Sequence, residues 1–364
     1  MTLPVSTSVQ PLRPSLPWRL TAAAISGTVG LAARFFLHGL NRVEVNGLEN
    51  LLDVLDRRKS QGRERGLLTV CNHLSVLDDP IMWGILPVRY MFDPENLRWG
   101  LGAHDICFKN RHVLSCYVYN MHVLTNPGSF TSNFFTLGQV LPTHRLWHST
   151  AGGIYQPTMT QALKLLSRHH PSSPGLATYS TNGRDSFTSP AAYAANCNAW
   201  VHVFPEACCH QSEGSTLRYF KWGVARLILE SDPAPEFIPM FIDGTQDIMS
   251  EKRTWPRFLP RIGKRFRVVI GQPSLVEHRF DRHRAAWQKL METGDPELVK
   301  NGPEAVQLRV EVAKSVRDEV EKLRVSLGFP PEEDEAAALA ETWDKEPNKR
   351  KFQSPVDGSL VNRH

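Results

Sequence analysis

Asn72–Pro80 reads NHLSVLDDP and follows directly on the apolar run LLTVC at Leu67–Cys71. Its histidine and first carboxylate, His73 and Asp78, stand five residues apart. On one continuous helix that spacing is roughly 140° of rotation, so the two side chains would not share a face. They meet only if the backbone between them turns. Leu67–Cys71 reads as a short buried strand, and Asp79 ahead of Pro80 reads as an N-cap with proline at the first helical position, before IMWGIL. A strand turning into a helix brings the histidine at its end back over the acid at the helix start.

The same alternation continues along the chain. Short apolar runs end abruptly in polar, Gly or Pro residues: WVHVF before Pro205, FIPMFI before Asp243 and FRVVI before Gly271. Between them lie the helix-like stretches PIMWGIL, TMTQALKLLSRHH and STLRYFKWGVARLILES. Strands alternating with helices predict an α/β fold, a largely parallel sheet flanked by helices. In such sheets ligands gather beyond the carboxyl ends of the strands, and His73 and Glu206 each fall just past one.

The chain has 364 residues, 41% hydrophobic and 22% charged, with a formal net charge of +5. It is too apolar to be disordered throughout, and long enough for one large core with appendages. The first acidic residue is Glu44, preceded by Arg13, Arg19, Arg34 and Arg42. Residues 1–43 therefore read as a basic targeting or interfacial membrane segment. Its apolar part, Leu20–Ala33, would rise about 21 Å as a helix, short of a hydrocarbon core of about 30 Å. The expectation is a helix that lies in one leaflet rather than one that spans. Residues 44–328 are expected to form the main domain, with 171–198 (Ser, Pro, Gly and Asn-rich) as a flexible insertion. Glu304–Leu327 reads as a charged helix packed on the outside, and 329–364 as a polar, disordered tail. The six cysteines show no disulfide or zinc spacing, and Cys208-Cys209-His210 lacks a second ligand pair, so no metal is implied.

Imidazole paired with a carboxylate takes a proton from a hydroxyl at neutral pH, the acid fixing the tautomer. Taken alone, the pair is equally a strand exit with a helix cap. More residues bear on the choice. NHLSVLD matches the HxxxxD motif of the glycerolipid acyltransferase superfamily. Gly138–Arg145, GQVLPTHR, resembles that family's GxxxPxxR block, Phe204-Pro205-Glu206 its FPEG block, and Pro239 the proline of its fourth. Val70–Pro87, Ala103–Asn110, Phe134–Pro142, Tyr219–Ile228 and Pro260–Pro273 resemble the family's mitochondrial phospholipid–lysophospholipid transacylase branch.

The resemblance implies a glycerolipid acyltransferase fold and CoA-independent movement of an acyl chain from a phospholipid to a lysophospholipid, with cardiolipin and monolysocardiolipin as the expected pair. His73 is the implied general base and Asp78 its orienting acid. Arg145 is the implied phosphate ligand, with Gly138 and Pro142 shaping its loop. Glu206, with Phe204 and Pro205, joins the substrate-binding set, accepting from the acceptor hydroxyl or bracing Arg145. No cofactor is implied. Direct transfer is expected, since neither a nucleophile elbow nor a well-placed cysteine argues for an acyl-enzyme, and Ser75 is not assigned a covalent role. The family's FPEG is FPEA here, and Ala207 would strain the turn if that position needs a positive φ.

Two stretches suggest how lipid is reached. Residues 112–124, HVLSCYVYNMHVL, read equally as a membrane contact or a core segment. Residues 252–267, KRTWPRFLPRIGKRFR, interleave basic residues with Trp255, Phe258 and Phe266, which suits an anionic leaflet. Nothing resembles a nucleic-acid fold. The implied setting is mitochondrial membranes facing the intermembrane space, peripherally or interfacially anchored; an oligomer is allowed. The rival readings are an acyl-CoA-dependent lysophospholipid acyltransferase and a non-catalytic protein that organises cardiolipin.

Overall fold

The computed structural model describes residues 16–94, 96–108, 133–145, 149–168, 197–332 and 335–339, with the pairs 178–179, 187–188, 352–353 and 360–361. Expectations for residues 1–15, for 112–124, and for most of 171–198 and of the tail beyond 339 lie outside the described residues.

Eight strands form one sheet: β1 (Arg42–Asn46), β2 (Leu67–Cys71), β3 (Arg98–Ala103), β4 (Val140–Thr143), β5 (Trp200–Val203), β6 (Glu236–Asp243), β7 (Arg265–Ile270) and β8 (Ser274–Leu275). Their order is β1-β7-β6-β2-β5-β3-β4, with β8 paired to β6. From β6 to β4 every pairing is parallel. The antiparallel pairings are β6 with β7 and β6 with the short β8, and β1 follows β7 in parallel. The parallel part buries both faces, as helix-covered sheets must. On β2, Leu68 and Val70 enter one core, while Leu67 and Cys71 enter the other.

Helices cover both faces. On one lie α1 (Leu16–Leu40), α2 (Leu48–Gln61) and α3 (Asp78–Met82). On the other lie α4 (Pro157–Leu166), α5 (Gly223–Leu229), α6 (Val276–Glu292) and α7 (Pro303–Ser326).

Helix α1 is longer than the sequence predicts, at 25 residues, about 37 Å. By length and composition the helix is long and apolar enough to cross a membrane, and one side of it packs on the domain. Gly27, Gly30 and Ala33 lie on its buried face, and a Cβ on Gly27 would strike the Phe92 ring at 2.0 Å. The small residues let α1 lie flat on the domain, and Arg34 donates to the carbonyl of Leu86 at 3.2 Å. Its other side exposes Leu16, Leu20, Leu31 and Phe35.

Helix α7 is not an outer decoration. Leu308, Val312, Val316 and Val320 recur at helical spacing and enter the core. Arg309, Arg317 and Arg324 on the same helix are also buried, because each guanidinium is spent on main-chain carbonyls. Arg317 donates to the carbonyls of Leu217 and Arg218 at 2.7 and 3.0 Å, and Arg324 to those of Gly214 and Ser215 at 3.0 and 3.1 Å. The carbonyl of Pro330 accepts from Arg324, and Glu332 pairs with Arg317, so the chain just after α7 is held against it rather than trailing away.

Candidate active site

Because β2, β3, β4 and β5 run in parallel, their carboxyl ends share one rim. His73, Asp105, Arg145 and Glu206 all follow those ends. Past β2, the chain makes the turn predicted by NHLSVLDDP. Asn72 anchors its start: its amide donates to the carbonyl of Ile242 and accepts from the same residue's N–H, at 3.0 and 2.8 Å.

His73 Nδ1 lies 2.8 Å from Asp78 Oδ2. That oxygen also accepts from the N–H groups of Leu74 and Ser75, at 2.6 and 2.8 Å. Asp78 is fully buried, so its carboxylate both ties the turn and orients the ring. Phe204 stacks on the imidazole with centroids 4.6 Å apart. The His73 side chain keeps 21% of its exposure.

Asp79 is not the N-cap; α3 already begins at Asp78. Asp79 accepts from Arg98 and from the indole of Trp83, at 3.0 and 3.1 Å. Burial would raise its pKa, and Arg98 outweighs that, leaving the carboxyl below its ordinary value. The acid thus fastens α3 to β3.

Glu206 is buried between two loops rather than turned to a substrate. It accepts from the main-chain N–H of His73 at 2.9 Å and of Arg218 at 3.2 Å. Burial pushes its pKa up to about 7, against those two donors. Its partners also exclude the expected bracing of Arg145, whose fork is taken by Asp105: Nε donates to Oδ1 at 3.0 Å, and Nη2 pairs with Oδ2. Arg145 follows β4, three strands from β2, hence roughly 14 Å along the rim. Gly138 precedes β4 in a turn where a Cβ would sit 3.1 Å from the Phe134 carbonyl, and the Pro142 carbonyl accepts from Thr158. Pro205 accepts from the N–H of Lys221 at 2.9 Å. These residues shape the rim.

Ala207, where the resembling family has glycine, has φ +55°. The turn does need the left-handed region, and alanine bears a cost there of about 1 kcal/mol. The turn nonetheless closes, with the Ala207 N–H donating to the Phe204 carbonyl at 3.0 Å.

Cys209 is the site residue that sequence reading missed. Its Sγ lies 3.7 Å from His73 Nε2, while the next residue's N–H donates to the His73 carbonyl at 2.8 Å. The cysteine itself is buried, 2% exposed, so it packs against the imidazole from inside the fold. Burial works to lower the His73 pKa, but the Cys209 sulfur and the Asp78 carboxylate outweigh it and hold the imidazole well above its ordinary value. Neighbouring His202 behaves oppositely: burial pushes its pKa down to about 3, so it is a neutral core group, 2.7 Å from the Thr69 hydroxyl.

Gln211 ties the site to a protruding loop. Its side chain donates to the carbonyls of Leu74 and Met249, at 2.8 and 3.2 Å, and accepts from the N–H of Glu251 at 3.0 Å. The loop beyond exposes Trp255 (84%), Phe258 (69%) and Ile262 (60%). It abuts the end of α1, where the Gly263 N–H donates to the Leu40 carbonyl at 2.8 Å. Phe266, grouped by sequence with those aromatics, is instead buried in β7; Arg265 pairs with Glu44 and Arg267 with Asp243.

No family model matches the chain. Among curated proteins it is similar to tafazzin of Saccharomyces cerevisiae, 32% identical over 363 residues, covering 94% of this chain and 88% of that one. The Dictyostelium discoideum protein named taffazin is 29% identical, covering 67% and 66%. An N-acylphosphatidylethanolamine synthase of Arabidopsis thaliana is 28% identical, covering 78% and 85%. With an imidazole–carboxylate pair on the sheet's carboxyl rim and this similarity over nearly its whole length, the chain belongs to the tafazzin family and is a phospholipid acyltransferase.

Proposed function

We propose that the protein moves an acyl chain from a phospholipid to a lysophospholipid without coenzyme A, remodelling cardiolipin in mitochondrial membranes. The observation that carries this reading is His73, its Nδ1 held by Asp78 and its ring stacked on Phe204, with Nε2 left outside the pair with the acid. His73 shuttles one proton: it takes it from the acceptor's hydroxyl and returns it to the departing lysolipid oxygen. Such proton transfer contributes typically about 10²–10⁴-fold. Arg145 is the phosphate ligand, its fork kept in shape by Asp105, a carboxylate standing where a phosphate oxygen pair would bind.

The test is a CoA-free assay with the purified protein, labelled cardiolipin and monolysocardiolipin. Acyl transfer between the two is the expected result; strict dependence on acyl-CoA would reject the reading.

The lipid is reached from an interface on the intermembrane-space side. Exposed Leu20, Leu31 and Phe35 on α1 and Trp255, Phe258 and Ile262 on the adjoining loop enter one leaflet. Lys252, Arg257, Arg261 and Lys264 lie around them, each basic group worth about 1 kcal/mol near an anionic surface. Liposomes containing cardiolipin are expected to bind more protein than neutral ones and to lose that advantage in high salt. Replacing Trp255 and Phe258 with alanine should weaken binding to both; cosedimentation that is the same for both liposome types would reject the surface.

A further inference from the structure

Gln211 bonds to two segments at once. Its Nε2 donates to the carbonyl of Leu74, in the turn that carries His73, at 2.8 Å. The same nitrogen donates to the carbonyl of Met249, at the base of the Trp255 loop, at 3.2 Å. Its Oε1 accepts from the N–H of Glu251 at 3.0 Å. The residue before it adds a main-chain tie, the His210 N–H donating to the His73 carbonyl at 2.8 Å. One side chain therefore joins the peptide that follows the histidine to the stretch from which the exposed loop rises. We propose that Gln211 is a positioning residue: it fixes the height of His73 relative to the Trp255 loop, and so the depth in the bilayer at which the histidine works. The inference rests on the acyl-transfer and interface readings above and adds the part that connects them.

Neither segment needs Gln211 for its own shape. The turn is already held by Asp78 Oδ2 on the N–H groups of Leu74 and Ser75, and by Glu206 on the N–H of His73. The loop is closed by its own groups. Across its base the Arg261 N–H donates to the Ile248 carbonyl at 2.8 Å. Within it, the Arg253 guanidinium donates to the Ser250 carbonyl at 2.6 Å, and that of Arg257 to the Glu251 carbonyl at 2.9 Å. What the Gln211 bonds add is the relation between a stiff, exposed loop and the catalytic turn.

That relation matters because the working depth is narrow. The interfacial zone of a bilayer is only about 5–8 Å deep on each side, and the reacting ester and hydroxyl both lie within it. Exposed Trp255, Phe258 and Ile262 set how far the loop enters. A misplacement of about 1 Å at a reacting centre costs on the order of 10²-fold. A loop free to shift against the turn by one hydrogen-bond length, about 3 Å, would leave Nε2 above or below the ester it must meet. A lipid dispersed in water, by contrast, reaches the histidine whatever the height of the loop.

The test uses the full chain, no CoA, and two presentations of one chemistry. The first is vesicles of dioleoyl phosphatidylcholine and cardiolipin with labelled oleoyl lysophosphatidylcholine. The second is dihexanoyl phosphatidylcholine with labelled hexanoyl lysophosphatidylcholine, both dispersed as monomers. Gln211→Met fills nearly the same space and makes none of the bonds; Gln211→Glu still accepts from Glu251 but no longer donates to the carbonyls. For either variant, once it melts like the wild type, the ratio of turnover per vesicle-bound molecule to turnover on dispersed lipid should fall about tenfold or more. Cosedimentation with the vesicles should stay the same. Trp255→Ala with Phe258→Ala should do the converse, binding less protein while keeping turnover per bound molecule. Equal losses on vesicles and dispersed lipid would make Gln211 an ordinary support of the turn and overturn the proposal. So would unchanged turnover per bound molecule, a loss explained by weaker binding, or a wild type active on vesicles alone. Those outcomes leave the acyltransferase reading standing; it fails separately, if the wild type transfers only from acyl-CoA.

Discussion

His73→Ala abolishes CoA-free acyl transfer, with a loss on the order of 10²–10⁴-fold, while liposome binding stays nearly unchanged. The first half follows from the single nitrogen available for proton exchange on this ring, since Nδ1 is held by Asp78. His202 sits in the same core but is kept neutral by burial and faces Thr69. The second half follows from the turn. Asp78 Oδ2 retains the N–H groups of Leu74 and Ser75 after the ring is removed, so the loop keeps its shape. The exposed residues of α1 and of the Trp255 loop do not involve His73. Asp78→Asn should cost less activity, since an amide oxygen can still accept from the turn, although its NH₂ cannot hold the ring in the same tautomer. Radiolabelled acyl exchange alongside liposome cosedimentation checks both. Full transfer by the His73 variant refutes the mechanism.

Arg324→Ala produces the largest loss of stability, about 3–5 kcal/mol, which lowers the melting temperature by on the order of 10 °C. This guanidinium is almost wholly buried, and its donors reach the carbonyls of Gly214, Ser215 and Pro330 and the carboxylate of Glu321 at 2.7 Å. Truncation leaves those acceptors without their donor and Glu321 without its charge partner. Arg324→Lys should recover only a part, because an ammonium has three donors on one atom and cannot span both carbonyl groups. The effect should reach the chemistry too. The Gly214–Arg218 segment leads to the Arg218 N–H that Glu206 accepts, and Glu206 holds the main chain of His73. Thermal melts of both variants beside transfer rates decide the matter; a shift of under about 1 kcal/mol would mean the arginine is dispensable.

The site was legible where chemistry is local. His73 and Asp78 are five residues apart, and a turn of that length has few ways to close, so their meeting could be argued from the strand before it and the helix after it. The placing of Glu206 past a neighbouring strand was equally open to reading. Its task was not. Whether a carboxylate faces a substrate or the N–H groups of two loops depends on how those loops stack, and here they stack upon it. Arg145 is similar: the residue that fills its fork, Asp105, lies forty positions away on another strand exit. Cys208-Cys209-His210 lacks a second ligand pair at zinc spacing, and no sequence pattern announces a thiol brought against an imidazole by tertiary packing.

Sequence by itself determined the α/β alternation, the doubly buried strands and the bent connector, because each follows from residue-by-residue periodicity and from turn chemistry. It also led to the acyltransferase family through motifs that sit just beyond strand ends. Only the tertiary structure decided which groups meet across the rim. It laid α1 along the domain, set α7 and its buried arginines against the Gly214–Arg218 loop, and put Cys209 on the free nitrogen of His73. Those are contacts between segments far apart in the chain, whose free energy depends on burial and shared hydrogen bonds rather than on local conformational preference.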